Sequence, residues 1–175
     1  MKTSPFEKPV EKDLGKELLS GTLDPEAFLD ELLARDQATG DRRAAIANIK
    51  LLTRPDIAEF FSGQSEHQAR YEGFLSFSYF HRGQIEAGEG DNGAASASFT
   101  QALAWARRAE TNDPQERSWR LYVEGTVAYL ESDLATLRKV YEDGIEEDRN
   151  REIIGNFIRS LETDGKVDYR SAYAK

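Results

Sequence analysis

Apolar residues recur through most of the chain at the spacing of amphipathic helices. Phe28, Leu29, Leu32 and Leu33 form one such stripe, and similar stripes follow as far as residue 161. No stretch combines sustained alternation of apolar and polar residues with enrichment in β-branched residues, which is the pattern of a strand. The chain is therefore predicted to be all-α.

Aspartate, glycine and proline residues divide this pattern into separate helices. The pair Asp24 and Pro25 is a typical helix start, because Asp caps a first turn and Pro suits the first helical position. A second helix is predicted after Asp41, and it ends before Pro55. Further helices are predicted over residues 56–61, 65–87, 92–109, 114–130, 133–145 and 149–161.

The two ends of the chain differ from this helical region. Residues 1–22 contain Pro5, Pro9, mixed charges and few large apolar residues, so we expect a flexible N-terminal arm. Residues 163–175 are expected to form a polar C-terminal tail. Residues 23–162 are expected to form a single all-helical domain, since their number suffices for one hydrophobic core.

A shift of the sequence by 42 positions against itself aligns two halves of the C-terminal region. The shift places glycine on glycine at 83 and 125, and aspartate on aspartate at 91 and 133. It also aligns large apolar residues: Phe77 with Trp119, Phe80 with Tyr122, Ile85 with Val127, Phe99 with Tyr141, and Leu103 with Ile145. This self-similarity predicts two structurally related helix pairs.

Each half also contains a glycine followed sixteen positions later by a large aromatic residue, and three positions after that by a small residue. These residues are Gly83, Phe99 and Ala102 in the first half, and Gly125, Tyr141 and Gly144 in the second. The pattern resembles the tetratricopeptide (TPR) repeat, where a small residue lets two helices approach and the aromatic ring fills the space beside them. Over residues 65–161, the resemblance implies antiparallel helix pairs stacked as a TPR-like right-handed solenoid.

Two features depart from the TPR pattern. The repeat of 42 residues is longer than the usual length of about 34, and Arg82 and Glu86 occupy positions where the pattern has apolar residues. Because they are four residues apart on a predicted helix, Arg82 and Glu86 could pair on its surface. An irregular helical bundle is the alternative architecture.

The first helix of each pair lines the concave surface of a TPR-like stack, and this surface binds partners. Carried over by position, the resemblance implies a partner-binding surface made of Phe77, Phe80, Gln84, Trp119, Tyr122, Thr126 and Tyr129. The implied function is a protein-protein interaction module that binds a partner peptide or helix. The alternative interpretation is that these aromatic residues are core and are covered by the helices of residues 24–62.

The charge of the chain narrows the classes of partner. A net charge of −9, from 23 basic and 32 acidic residues, disfavours nucleic-acid binding, which depends on cations that neutralise phosphates. It leaves open an alternative function, an acidic regulator or inhibitor that binds a basic protein through surface carboxylates. An aromatic surface without a ligand also favours self-association, so a homo-oligomer is a further expectation.

Membrane and compartment signals are also absent from the sequence. No apolar run reaches membrane-spanning length, so no membrane partner is expected. The chain contains no cysteine, and its N-terminus has no apolar segment of the kind found in secretory signals. These features predict a cytoplasmic protein.

The sequence contains no recognisable motif for catalysis, a metal or a cofactor, and we expect none of the three. His67 and His81 lie on one predicted helix about 21 Å apart along its axis, too far to share an ion. His81 is expected to be a core histidine with one hydrogen bond, and His67 to be exposed. A small helical enzyme with a polar pocket around His81 and Arg82 is the least favoured alternative.

The glycine-rich segment EAGEGDNGA, residues 86–94, is predicted to be a turn between helices. It lacks the GK[ST] ending of a phosphate-binding loop and the ligand spacing of a calcium loop. Glycine provides the positive φ angle of such a turn, and Asp91 or Asn92 would cap the next helix.

Overall fold

The computed structural model describes residues 13–39, 41–111, 113–146, 148–165 and 167–173. Within these ranges the chain forms ten α-helices and no strand, which confirms the predicted all-α class. The helices are α1 (Leu14–Leu19), α2 (Pro25–Thr39), α3 (Arg42–Leu52), α4 (Pro55–Ser62), α5 (Ser65–Gly88), α6 (Asn92–Ala109), α7 (Pro114–Leu130), α8 (Leu134–Asp143), α9 (Arg149–Asp164) and α10 (Tyr169–Tyr173).

Aspartate side chains set where most of these helices begin. The Asp41 carboxylate accepts a hydrogen bond from the backbone N–H of Ala44 at 2.8 Å, and the Asp91 carboxylate accepts one from Ala94 at 3.0 Å. The turn before Asp91 contains Gly90 with a φ of +84°. Both observations confirm the prediction that the glycine-rich segment is a capped turn.

The long helix α5 passes through two clusters of buried apolar residues. Its first half, with Tyr71 and Leu75, packs with α1, α2, α3 and α4 in an N-terminal cluster. Its second half, with Phe80, packs with α6, α7, α8, α9 and α10 in a C-terminal cluster. The half-buried Tyr79 contacts both clusters, so α5 links the two parts of the core.

Helices α5 and α6 form a closely packed antiparallel pair. The Ser76 hydroxyl donates to the Ala102 carbonyl at 2.9 Å, while Gly83 lies against the ring of Phe99 farther along. A Cβ atom on Gly83 would be 2.8 Å from Phe99 Cε1, closer than non-bonded carbon atoms approach. The predicted glycine–aromatic contact is therefore present in this pair, and Phe99 is fully buried.

Helix α7 lies beside α5 and runs parallel to it. Phe77 contacts Trp119 with ring centroids 6.2 Å apart, and Phe80 contacts Tyr122 at 5.1 Å. Both contacts join residues that are 42 positions apart, the same shift that aligns the two halves of the sequence. The aligned aromatic positions therefore face each other across the α5–α7 contact.

The second glycine of the TPR-like pattern has a different neighbour from the one expected. A Cβ on Gly125 would be 3.0 Å from two side-chain atoms of Ile154 in α9, and 3.5 Å from Val140 in α8. Tyr141 packs instead against Gly155 of α9 and beneath the guanidinium of Arg151, 4.3 Å from its ring centroid. Helix α9 therefore packs against α7 at Gly125, in addition to α8.

The packed structure extends beyond the predicted limits of residues 23 and 162. Leu14 and Leu18 of α1 are each 1% exposed, so the described part of the predicted arm is not flexible chain but joins the N-terminal cluster. Tyr169 of α10 is 6% exposed and packs on Phe99 and Phe157, so part of the predicted tail is core as well. Residues 1–12 lie outside the described residues.

Arg82 and Glu86 form the expected i, i+4 pair, with Arg82 Nε donating to Glu86 Oε1 at 2.8 Å. The surface location expected for this pair is wrong for Glu86, whose side chain is 0% exposed. Its carboxylate also accepts from Arg42 of α3 at 3.1 Å and from the Ser98 hydroxyl of α6 at 2.6 Å. These partners compensate the loss of hydration and join three helices.

Candidate functional site

The seven residues of the expected partner-binding surface divide into two groups. Phe77, Gln84 and Trp119 are half-buried, and Phe80 and Tyr122 are 3% and 4% exposed. All five line one cavity of about 300 Å³, together with residues of α9 and α10. The remaining two, Thr126 and Tyr129, are fully buried and line neither this cavity nor its neighbour.

Thr126 and Tyr129 have complete hydrogen bonds inside the core. The Thr126 hydroxyl donates to the Tyr122 carbonyl at 3.0 Å. The Tyr129 ring stacks on Phe157 with centroids 4.4 Å apart, and its hydroxyl lies 3.0 Å from Ser160 Oγ and accepts from the backbone N–H of Asp168. In this structure both residues stabilise the packing of α7 and are out of reach of a partner.

The floor of the cavity is formed by Phe77, Phe80, Trp119 and Tyr122, which we call the aromatic surface. Phe80 lies at its centre, with ring centroids 5.0 Å from Trp119 and 5.1 Å from Tyr122. Trp119 is held in position because its Nε1 donates to Ser76 Oγ at 2.9 Å. The Trp119 side chain is therefore held in place before any ligand binds.

A second cavity of about 450 Å³ adjoins the first. It is lined by Gln84, Gly88, Tyr169, Arg170 and Tyr173, and it shares Gln84 and Tyr173 with the first cavity. Its walls come largely from α10, which lies in the predicted polar tail of residues 163–175. The spacing of Tyr169 and Tyr173, one helical turn apart, is the signal in the sequence that could have indicated this helix.

Three tyrosines and one amide meet where the two cavities join, and we call this group the tyrosine cluster: Tyr122, Tyr169, Tyr173 and Gln84. Gln84 Nε2 donates to the Tyr169 hydroxyl at 3.3 Å. The Tyr122 hydroxyl lies close to the hydroxyls of Tyr169 and Tyr173, but it is buried and makes no hydrogen bond of normal geometry. A buried hydroxyl without a partner is unusual in a folded protein.

Burial keeps the hydroxyl groups of Tyr122 and Tyr169 protonated. It raises the pKa of Tyr169 to about 12, and it raises the pKa of Tyr122 well above its usual value near 10. Both side chains therefore remain neutral at physiological pH. A neutral phenol can donate a hydrogen bond, so the cluster offers donors to a ligand.

Two arginines lie at the edges of the cavities. Arg149 lines the first cavity and Arg170 lines the second, and both are exposed. Among the described residues, neither has a carboxylate partner. Among the described residues that line the two cavities there is no aspartate or glutamate, so the charge of this described lining is opposite to that of the whole chain, which carries −9.

The described residues that line the two cavities belong to α5, α7, α9 and α10, and none comes from the helices over residues 24–62. Helix α2 contacts α5 elsewhere, through the pair of Asp36 and His81. These helices therefore leave the cavity side of Phe77 and Trp119 uncovered. The burial of Phe80 and Tyr122 comes from their neighbours in the C-terminal cluster.

His81 makes the single side-chain hydrogen bond that was expected of it. Its Nδ1 lies 2.5 Å from Asp36 Oδ2, and the Asp36 side chain is 3% exposed. This bond is the main reason that the pKa of His81 is raised. The residues lining the two cavities do not include His81 or Arg82.

The expectation that His67 is exposed is wrong, because 19% of its side chain is accessible. The ring lies between two carboxylates: Nδ1 is 3.0 Å from Glu26 of α2 and Nε2 is 3.4 Å from Glu66. Three or more potential ligands do not come together anywhere in the described ranges in a group that could hold a metal ion.

Another cavity, of about 430 Å³, lies at the connection between α6 and α7. Most of its lining residues, including Thr111, Arg117 and Ile145, are exposed. It is a surface depression without a buried aromatic floor, and the aromatic surface is therefore the stronger candidate for a binding site.

A search of the described helices for a membrane-spanning segment finds none that is sufficiently long and apolar. Comparison with known proteins gives no match to a family model, to a curated protein or to a solved structure.

Proposed function

We propose that this protein is a protein-protein interaction module that binds a peptide or helix of its partner on the aromatic surface. The observation that carries this proposal is the convergence of Phe77, Phe80, Gln84, Trp119 and Tyr122 on one open cavity. Aromatic side chains held in a preformed depression are the usual anchors of protein interfaces.

The architecture supports this proposal through the arrangement of α5, α6, α7 and α8. We propose that the α5–α6 and α7–α8 pairs are two TPR-like units of a short solenoid, since α5 and α7 lie parallel with equivalent residues in contact. In such a stack, the first helix of each pair lines the concave surface. Phe77 and Trp119 lie at equivalent positions in these helices and are both accessible.

The test is a selection of short random peptides, displayed on phage, against the full 175-residue chain. Selected peptides are then synthesised, and their dissociation constants are measured for the wild type and for Trp119→Ala. We expect the substitution to weaken binding by about tenfold or more, as the loss of a central aromatic anchor does.

Trp105→Ala is the matched control. Trp105 is also half-buried, but it packs against the N-terminal cluster and lines neither cavity. Peptides should bind this variant with wild-type affinity once circular dichroism shows that both variants are folded. The proposal fails if no peptide is selected, or if peptides bind Trp119→Ala as tightly as they bind the wild type.

A further inference from the structure

We propose that the aromatic surface is specific for acidic peptides, in which an apolar side chain next to a carboxylate is recognised. The apolar side chain would lie on the aromatic floor, and the carboxylate would lie at the tyrosine cluster between Arg149 and Arg170. This inference rests on the proposed function and adds the chemistry of the ligand.

The first argument is charge. The chain has more acidic than basic residues, yet the described residues that line the two cavities include two arginines and no aspartate or glutamate. Most other arginines of the described chain are paired: Arg70 with Glu26 and Asp30, and Arg120 with Glu110 and Glu124, for example. Unpaired cations beside an aromatic depression provide a field complementary to an acidic ligand.

The second argument is the Tyr122 hydroxyl. Tyr122 is 4% exposed, and its ring lines the first cavity, yet its hydroxyl, which lies beside the hydroxyls of Tyr169 and Tyr173, makes no hydrogen bond of normal geometry among the described residues. A buried hydroxyl in this state lacks the compensation that a partner would provide. This hydroxyl is enclosed in the free protein, so a carboxylate at the junction of the cavities would accept a hydrogen bond from it once the exposed Tyr173 side chain moves aside. A charged acceptor makes that bond stronger.

The third argument is the combination of groups at the junction. Gln84 supplies an amide N–H, Tyr122 a phenolic O–H, and the two arginines supply charge from either side. A carboxylate that leaves water needs both several donors and a nearby cation to compensate its desolvation. A neutral apolar peptide would contact the floor but would give these donors no charged acceptor.

The peptide selection tests this inference through the composition of the selected peptides. We expect Asp or Glu next to an aromatic or aliphatic residue to be enriched. Binding of an acidic peptide should weaken as salt rises from about 0.05 M to about 0.5 M, because the arginines are exposed to screening. It should also weaken by about tenfold in the double variant Arg149→Glu/Arg170→Glu.

The double variant Arg43→Glu/Lys50→Glu is the matched control, since it changes the net charge by the same amount on exposed positions of α3, which lines neither cavity. It should keep wild-type affinity. Arg149→Lys/Arg170→Lys should retain most of the binding, because the positive charge is preserved.

Tyr122→Phe tests the role of the hydroxyl in recognition separately from the role of the ring in packing. The ring is kept, so the free protein should be as stable as the wild type or slightly more stable, because an unpaired hydroxyl is removed. Affinity for an acidic peptide should nevertheless fall by about tenfold. Unchanged affinity would overturn the proposed hydrogen bond to the carboxylate.

The remaining outcomes distinguish the two proposals. Selection of neutral apolar peptides that need Trp119 but not the arginines would overturn the acidic specificity and leave the interaction module standing. Selection of Lys-rich and Arg-rich peptides would also overturn it, and would favour an acidic regulator of a basic partner. If no peptide is selected, both proposals fail.

Discussion

At the scale of single residues, the close packing of α5 against α6 depends on a glycine, which has no side chain. Gly83 allows α5 to approach the ring of Phe99 on α6, and that ring is fully buried with Phe80 and Tyr169 around it. Gly73 lies in the same helix but faces open packing, where an added Cβ would be 3.9 Å from Ala109. The two glycines therefore have different roles.

Gly83→Ala is predicted to lower the free energy of unfolding by about 1–3 kcal/mol, because the new methyl group must displace Phe99 from a packed core. Gly73→Ala is its control, and it should be neutral or raise stability by up to about 1 kcal/mol, since alanine favours helix and meets no clash. Urea denaturation of both variants measures the difference. Equal effects of the two substitutions would contradict this interpretation of Gly83.

At the scale of helices, polar contacts decide how α2 is held against α5. His81 of α5 bonds to the buried Asp36 of α2, and Arg70 of α5 pairs with Asp30 of α2 at 2.6 Å. The Arg70 pair is exposed and contributes little. The His81–Asp36 bond is partly buried, and it involves a group that titrates near physiological pH.

Stability is therefore predicted to depend on pH through His81. Its pKa is raised in the folded protein by the bond to Asp36, so the stabilisation is fully present below the unfolded-state pKa of about 6.5. It is lost as the pH rises through the folded-state pKa. The difference in unfolding free energy between the wild type and His81→Gln should thus be constant at acidic pH and shrink as the pH rises above about 6.5.

Urea denaturation at several pH values measures that difference. Asp36→Asn is the second variant, because it retains the histidine and removes the cause of the shift, and it should flatten the pH dependence. A difference between wild type and His81→Gln that is constant or grows with pH would contradict the assignment.

At the scale of the whole molecule, α5 connects the N-terminal and C-terminal clusters into one structure. Each cluster has a tryptophan against it, Trp105 in the first and Trp119 in the second. Since the same uninterrupted helix contributes to both, unfolding of one cluster removes packing from the other. We therefore expect the molecule to unfold in one cooperative transition.

Single-tryptophan variants test this cooperativity. Trp119→Phe leaves Trp105 as the reporter of the N-terminal cluster, and Trp105→Phe leaves Trp119 as the reporter of the C-terminal one. In each variant, the urea midpoint from fluorescence should equal the midpoint from circular dichroism. Separate midpoints within one variant would show that the clusters unfold independently.

The sequence by itself determined the helices and several of their ends. Asp91, for example, caps α6 as predicted, because the hydrogen bond involves a backbone group only three residues away. The close approach of α5 to α6 at Gly83 could also be predicted, because a glycine and an aromatic residue at a fixed spacing are typical of a tightly packed helix pair. Such signals are local, so they do not depend on how the rest of the chain packs.

The tertiary structure alone decided which aromatic residues are accessible. Trp119 and Tyr129 both lie on α7 within a similar apolar pattern, yet Trp119 borders a cavity while Tyr129 is enclosed by α9 and by the backbone at Asp168. The sequence likewise did not predict the position of α10 at the edge of that cavity or the contact of Gly125 with α9. Apolar side chains pack without directional bonds, so their burial depends on which distant helices cover them, and a pattern of spacing does not specify that choice.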